Sequence, residues 1–435
     1  MLAVSVVILA LLTVFMLRIG RTMLFPPALY CASWLVTLTG VLAADTRLLP
    51  ISEYVCLIYL VGAIAFSLGG VTSLLLFDSR LKAPSISGRT PKITRIVLDV
   101  SLLLLIALYP YFLSKVQQIA GTTNPLLILA VIRAKTVLTN KNPLGFAGNL
   151  VVVSGLVANA MVYELDGSWN RRVRTVISVI VALSYNVLTG SKGGALLLVT
   201  LFFLTQVRNR GIKVSAALLS SLPVVAFFAA GLLAINLSGK SLRSTTTVAR
   251  YVGAEISNYW LGSPVAFSRV AEKPDSLRST ENIDRFFLNT ANSLGFKNRI
   301  PNINARYTTV GPEGQDTNTY TIYFSYFKSY GWFGTITLLS GLAAILTFTW
   351  NLAMRGAPVS TLLYASLCTA IVQSMYSENF FLGLNGYIKA IVIYGLLYWA
   401  LPRFFPDATP DRGANCGAEP KKNLITTAAM RTDSA

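Results

Sequence analysis

Arg250, Arg269 and Arg285 belong to a run of cations between Lys240 and Arg306. There they alternate with carboxylates (Glu255, Glu281, Asp284), aromatic rings (Tyr251, Tyr259, Trp260, Phe267) and many Asn, Ser and Thr side chains. An arginine fork takes two phosphate oxygens at once, and aromatic faces with amides suit sugar rings and their hydroxyls. The mixture suits a phosphorylated or pyrophosphorylated glycan; it equally describes a solvated loop beside anionic headgroups. The chain has no histidine, which excludes His-ligated metals, Ser-His-Asp triads and any imidazole base. Proton transfer would fall to a carboxylate raised by partial burial. Glu255, Asp284, Asp316 and Glu378 are placed for it. Glu255 lies five residues beyond Arg250, and Glu378 sits among Tyr376, Asn379 and Asn385, so these two lead. For each of them the plain reading is a salt-bridged structural carboxylate.

Further cations lie outside that run. Lys192 stands in the stretch NVLTGSKGGALLLV, Asn186 to Val199, which lacks the GxxxxGK[ST] spacing of a nucleotide loop and follows no strand. It reads as the tight turn of a helix hairpin. Lys328 precedes a hydrophobic run, and Lys389 lies inside one. An ionisable group at membrane depth is functional by default, with snorkelling to the interface as the plain alternative. Cys31, Cys56 and Cys368 fall in apolar runs and Cys416 near the end of the chain, so neither a disulfide framework nor a CxxC zinc site is available. No metal or cofactor is expected.

The elements that must position these groups are membrane helices. Of 435 residues, 54% are hydrophobic and 13% charged, with a mean hydropathy of +0.59; a soluble domain carries about 25% charged residues. About 20 apolar residues cross a bilayer, and about eleven helices are expected on that measure. They fall at 1–17, 23–44, 51–77, 96–114, 144–164, 174–190, 194–207, 214–237, 331–352, 358–377 and 380–402. The first lacks a basic leader and reads as an anchor rather than a signal peptide. The net charge of +19 sits in loops, so it speaks of topology rather than nucleic acid. Arg18/Arg21, the cluster from Arg80 to Arg95, Arg171/Arg172/Arg174, Arg208/Arg210/Lys213, Arg355 and the tail from Arg403 fall on one side. The positive-inside rule makes that side cytoplasmic, with the N-terminus outside. The expected organisation is helices over 1–237 with an interfacial segment at 115–143, a large, partly helical outer loop over 238–330, helices over 331–402, and a disordered cytoplasmic tail over 403–435.

Five segments carry a resemblance. YVGAEISNYWLGSPVAF (Tyr251 to Phe267) leads through RFFLNTANSLGF (Arg285 to Phe296) to DTNTYTIYFSYFKSYGWFGTITLLSG (Asp316 to Gly341). The hairpin at Lys192 comes earlier, and SMYSENFFLGLNG (Ser374 to Gly386) comes later. In order and topology, roughly residues 180–390 resemble the oligosaccharide repeat-unit polymerases, the O-antigen polymerase (Wzy-type) family. Asn318, Tyr320 and Thr321 match its N-x-Y-T element; Tyr330, Gly331 and Gly334 match its helix start. Lys192 stands where the family usually has arginine, a point charge in place of a fork. Ser329 stands where it often has aspartate, which makes that aspartate structural.

The resemblance implies a glycosyltransferase at the periplasmic face of the bacterial inner membrane. Its substrates would be undecaprenyl-pyrophosphate-linked oligosaccharides, joined into O-antigen or a related polysaccharide. Fixed cations balancing the leaving pyrophosphate would supply much of the catalysis. Arg250 and Arg285 would act with Glu255 or Glu378 as the catalytic set; Lys192, Arg269, Lys328, Lys389, Tyr251, Tyr259, Asn318 and Tyr320 would hold pyrophosphate and glycan. A chain-length regulator is an implied partner. Two rivals stay open. An O-antigen ligase-type transferase generally carries a loop histidine, absent here. A lipid-linked glycan flippase tends to show paired repeats and broken midplane helices, and no repeat is visible.

Overall fold

The structure is a computed structural model that describes residues 1–44, 47–77, 91–124, 127–128, 131–132, 135, 144–145, 147–165, 168–189, 193–210, 260–271, 281–293, 295–297 and 307–405. The expected span at 214–237, most of the 115–143 segment beyond residue 124, and the tail beyond residue 405 lie outside the described residues.

The architecture is all-α. Helix α1 is Leu2–Gly20, α2 Pro26–Ala43, α3 Glu53–Phe77, α4 Lys92–Ala120, α5 Ala147–Tyr163, α6 Trp169–Val187 and α7 Gly193–Arg208. After these come α8 (Gly262–Ala271) and α9 (Glu281–Ser293), then a minimal hairpin of β1 (Thr308–Thr309) and β2 (Asp316–Thr317). The long α10 (Ile322–Met354), α11 (Pro358–Gln373) and α12 (Leu384–Gly395) follow. Helix α12 continues through one π turn, Leu396–Ala400, to Phe404.

Six helices among the described residues are long and apolar enough to cross a membrane: α1, α2, α3, α4, α10 and the stretch Leu384–Phe404. Helices α5 and α11 and the Leu196–Arg208 part of α7 are apolar but shorter. The outward faces of the long helices carry large apolar side chains, among them Leu11 on α1 (67% exposed), Leu75 on α3 (76%) and Phe333 on α10 (82%). Such surface is stable only in lipid, and the chain is a multi-pass membrane protein.

Local sequence explains several boundaries. Prolines at the first turns of α2 and α11 start those helices at no hydrogen-bond cost. Gly121, at φ 69°, closes α4. Helix α10 starts nine residues before the expected 331–352, because Ile322 to Tyr330 wind into a short helix of their own. Gly331, at φ 63° and ψ −156°, breaks the helix between the two parts. That backbone conformation is essentially reserved for glycine.

The principal seam joins α3 and α10. A Cβ on Gly69 would come 2.2 Å from the Ser340 carbonyl oxygen, so the two backbones touch. Ser340 Oγ donates to the Ala65 carbonyl at 2.9 Å and Ser73 Oγ to the Ala344 carbonyl at 2.8 Å. Small residues with interhelical hydroxyl bonds are the usual adhesive where the hydrophobic effect cannot draw helices together.

Contacts also define the two ends of the bundle. Thr94 bonds the Leu397 carbonyl, Arg174 pairs with Asp99, Arg208 bonds the Val162 and Leu165 carbonyls, and Arg210 approaches Gly356. These bring the clusters at 92–95, 171–174, 208–210, 355 and 403 to one arginine-rich end. The C-terminal end of α6, helix α8, the β-hairpin and the turn between α11 and α12 lie at the other.

Candidate functional site

At that second end, motif segments far apart in sequence meet. Helix α8 opens on Gly262-Ser263-Pro264 and is buried from Gly262 through Ser268. Ser263 Oγ lies 2.7 Å from Thr319 Oγ1, which in turn lies 2.8 Å from Thr317 Oγ1. The Ile322 amide donates to the Ser374 carbonyl at 2.9 Å. The GSP turn, the Asn318–Thr321 element and the Ser374–Gly386 segment therefore form one continuous block.

Below it lies an aromatic platform. Tyr59 Oη donates to the Pro264 carbonyl (2.9 Å), Tyr323 Oη to the Tyr59 carbonyl (3.1 Å), and Tyr30 Oη to Tyr323 Oη (3.0 Å). Trp34 packs on Tyr59 and Tyr323 with ring centroids 4.8 and 5.1 Å away. Trp260 Nε1 reaches Thr37 Oγ1 at 2.9 Å, and Ser268 Oγ accepts the Ser52 amide at 2.9 Å. These bonds fasten α8 to α2 and α3. Burying a tyrosine ring is favourable only when its hydroxyl finds a partner, and each of these does.

Glu378 is the buried charge of the block, with 1% of its surface exposed. Its Oε1 accepts the Phe380 and Phe381 amides at 2.9 and 3.0 Å and the Tyr326 hydroxyl at 3.2 Å; Oε2 accepts the Leu382 amide at 3.2 Å. Burial raises its pKa above the ordinary carboxylate range, against the opposing pull of those four donors. The carboxylate anchors the turn that starts α12 and holds α10 against it. Asn379 Nδ2 donates to Gln373 Oε1 at 2.6 Å and fastens the same turn to the end of α11. Ser374 Oγ is buried in this block without a hydrogen-bond partner among the described residues.

The other expected site residues divide into three groups. Lys192, Arg250, Tyr251, Glu255 and Tyr259 lie outside the described residues; Arg285 lies on α9, its side chain outside them. Arg269 is exposed on the last turn of α8, Lys328 is half-buried just before Gly331, and Asn318 is half-buried beside the Ser263–Thr319 contact. Tyr320 is buried, stacked on Phe324 at 4.3 Å and hydrogen-bonded to Thr308 Oγ1 at 2.6 Å. Its structural role is to fasten the β-hairpin. Lys389 Nζ, on α12, donates to Asn149 Oδ1 near the start of α5 at 2.9 Å. Asp316 is exposed on β2, and Asp284 accepts the Tyr330 hydroxyl at 3.3 Å, which joins α9 to the break in α10.

Tyr326, Ser263 and Thr319 are additions that the pattern of the sequence did not single out. Ser263 and Thr319 stand inside the quoted motifs, yet their pairing across more than fifty residues has no local signal. Comparison with protein-family models, characterised proteins and solved structures returns no match.

Proposed function

We propose that the chain is a lipid-linked oligosaccharide polymerase of the bacterial inner membrane, working at its periplasmic face. The supporting observation is the block in which the GSP turn, the Asn318–Thr321 element and the Ser374–Gly386 segment meet through Ser263–Thr319 and Ile322–Ser374. Segments that carry the family resemblance thus share one end of the bundle, opposite the arginine-rich end that the positive-inside rule assigns to the cytoplasm.

In the proposed reaction an acceptor sugar hydroxyl attacks the anomeric carbon of a glycan on undecaprenyl pyrophosphate. The new C–O bond forms as the anomeric C–O bond to phosphate breaks, and the pyrophosphate leaves with the electron pair. Arg250 and Arg285, with Lys192, Arg269, Lys328 and Lys389, balance its charge. The hydroxyl proton passes to a carboxylate. Of the two leading candidates, Glu378 already accepts four hydrogen bonds in a closed turn, which favours a positioning role for it and leaves Glu255 as the base.

Purified protein reconstituted with undecaprenyl-pyrophosphate-linked repeat units tests the reading. A polymer ladder without an added energy source is expected, and loss of long chains in Arg250→Ala and Arg285→Ala with normal membrane insertion. Intact units crossing the bilayer without a ladder, or full-length chains from both variants, would sink it.

A further inference from the structure

The arginine-rich end holds a cavity of about 180 Å³ between α4, α5 and α6. Arg95 and Asp99 reach it from successive turns of α4, Arg171 and Arg174 from the first turns of α6, and Glu164 from just beyond α5. Asp99 is neutralised by its ion pair with Arg174. Arg95 Nε is fully buried and has no hydrogen-bond partner among the described residues. A guanidinium donor that is shielded from water and unmatched among the described residues is suited to an acceptor brought by a ligand. The rim is well held: Arg208 Nη2 donates to the Leu165 carbonyl at 2.5 Å and fixes the end of α5.

The surroundings of the cavity specify what that acceptor is attached to. On α4, Ile96, Val100, Leu103 and Leu104 are exposed; on α6, Val173, Val176, Ile177 and Ile180 are exposed. A cationic pocket at the end of the helices therefore opens beside two apolar faces that run toward the middle of the membrane. Soluble phosphate would use only the first feature. A phosphodiester headgroup with acyl chains uses both.

We propose that this cavity binds the phosphate of an anionic membrane lipid, with Arg95 and Arg171 contacting the phosphate oxygens and α4 and α6 carrying the acyl chains. The site is independent of the polymerase reading and stands at the opposite end of the molecule from it. Its role is to clamp α4 to α6 across the α5 terminus, alongside the Asp99–Arg174 ion pair.

The test is thermal unfolding of the detergent-purified full chain, titrated separately with phosphatidylglycerol, phosphatidylcholine and inorganic phosphate, with native mass spectrometry of retained lipid. Phosphatidylglycerol is expected to raise the unfolding midpoint saturably and to remain bound, and the other two to do neither. Arg171→Gln, at a half-buried position, is expected to weaken the phosphatidylglycerol effect by about tenfold, the loss of one charge-assisted phosphate contact. Arg95→Gln repeats the test from α4. Arg403→Gln, where the native guanidinium stacks on Trp399 4.1 Å away, is expected to leave lipid binding unchanged. Equal stabilisation by phosphatidylcholine, or unaltered phosphatidylglycerol binding in a folded Arg171→Gln protein, overturns the proposal. Stabilisation by inorganic phosphate that matches the lipid overturns the lipid assignment and marks a soluble-anion site.

Discussion

Lys389 on α12 donates its ammonium to the Asn149 side-chain oxygen on α5 at 2.9 Å, a bond between helices 240 residues apart in sequence. Lysine in an apolar helix invites either a functional reading or snorkelling, and the structure adds a third element: a defined acceptor on a neighbouring helix. Lys389→Met and Asn149→Ala should each destabilise the protein, and the double variant should cost less than the sum. A coupling of about 0.5–3 kcal/mol is expected for groups in direct contact. Strict additivity in thermal unfolding would show that the bond contributes nothing.

Glu378 provides a prediction in pH as well as in side chain. Alanine there would strip the Phe380, Phe381 and Leu382 amides of their acceptor, at about 1–3 kcal/mol for each donor left buried and unmatched. Glutamine keeps one acceptor oxygen and should cost less. Because burial raises the folded-state pKa of this carboxyl, its stabilising contribution is complete below the unfolded-state value and is lost as pH rises through the folded one. Wild type should therefore lose stability relative to Glu378→Gln as pH climbs from the ordinary carboxylate range. Parallel stability–pH curves for the two proteins would contradict the assigned burial effect.

Gly69 and Gly341 make a matched pair for the α3–α10 seam. Alanine at 69 would drive its methyl into the Ser340 backbone, while at 341 it meets nothing within 4 Å. Gly69→Ala should cost about 1–3 kcal/mol, the usual penalty of overpacking, whereas Gly341→Ala should be neutral or mildly stabilising. Chemical denaturation of both in the same detergent separates the outcomes, and equal effects would refute close backbone contact at Ser340.

The membrane helices were legible because lipid demands long apolar runs. The expected span 51–77 meets Glu53–Phe77, and 358–377 meets Pro358–Gln373. The stretch IYFSYFKSYG was not, since its aromatic and polar mixture has no helical apolar period; its helix is held by packing of Tyr323 and Tyr326 against other elements. Gly331 read as a helix start, and the membrane part of α10 does begin there, after the break that separates it from the short helix before it. Composition identified Glu378 as important, but three amides converging on one carboxylate depend on the path of residues 379–382. Likewise, the Tyr30–Tyr323–Tyr59 chain links α2, α10 and α3 through contacts that no local pattern encodes.

The aromatic platform has an optical consequence. Trp34 is 1% exposed and is surrounded by Tyr30, Tyr59 and Tyr323 at centroid distances of 4.8 to 6.2 Å. Excitation absorbed by those tyrosines transfers to the indole, whose emission in so dry a setting lies at the blue edge of tryptophan fluorescence. Tyr59 also holds the Pro264 carbonyl of α8. In a variant that keeps Trp34 as the sole one of the six tryptophans, light from that buried indole would report whether the outer block is seated on the membrane helices.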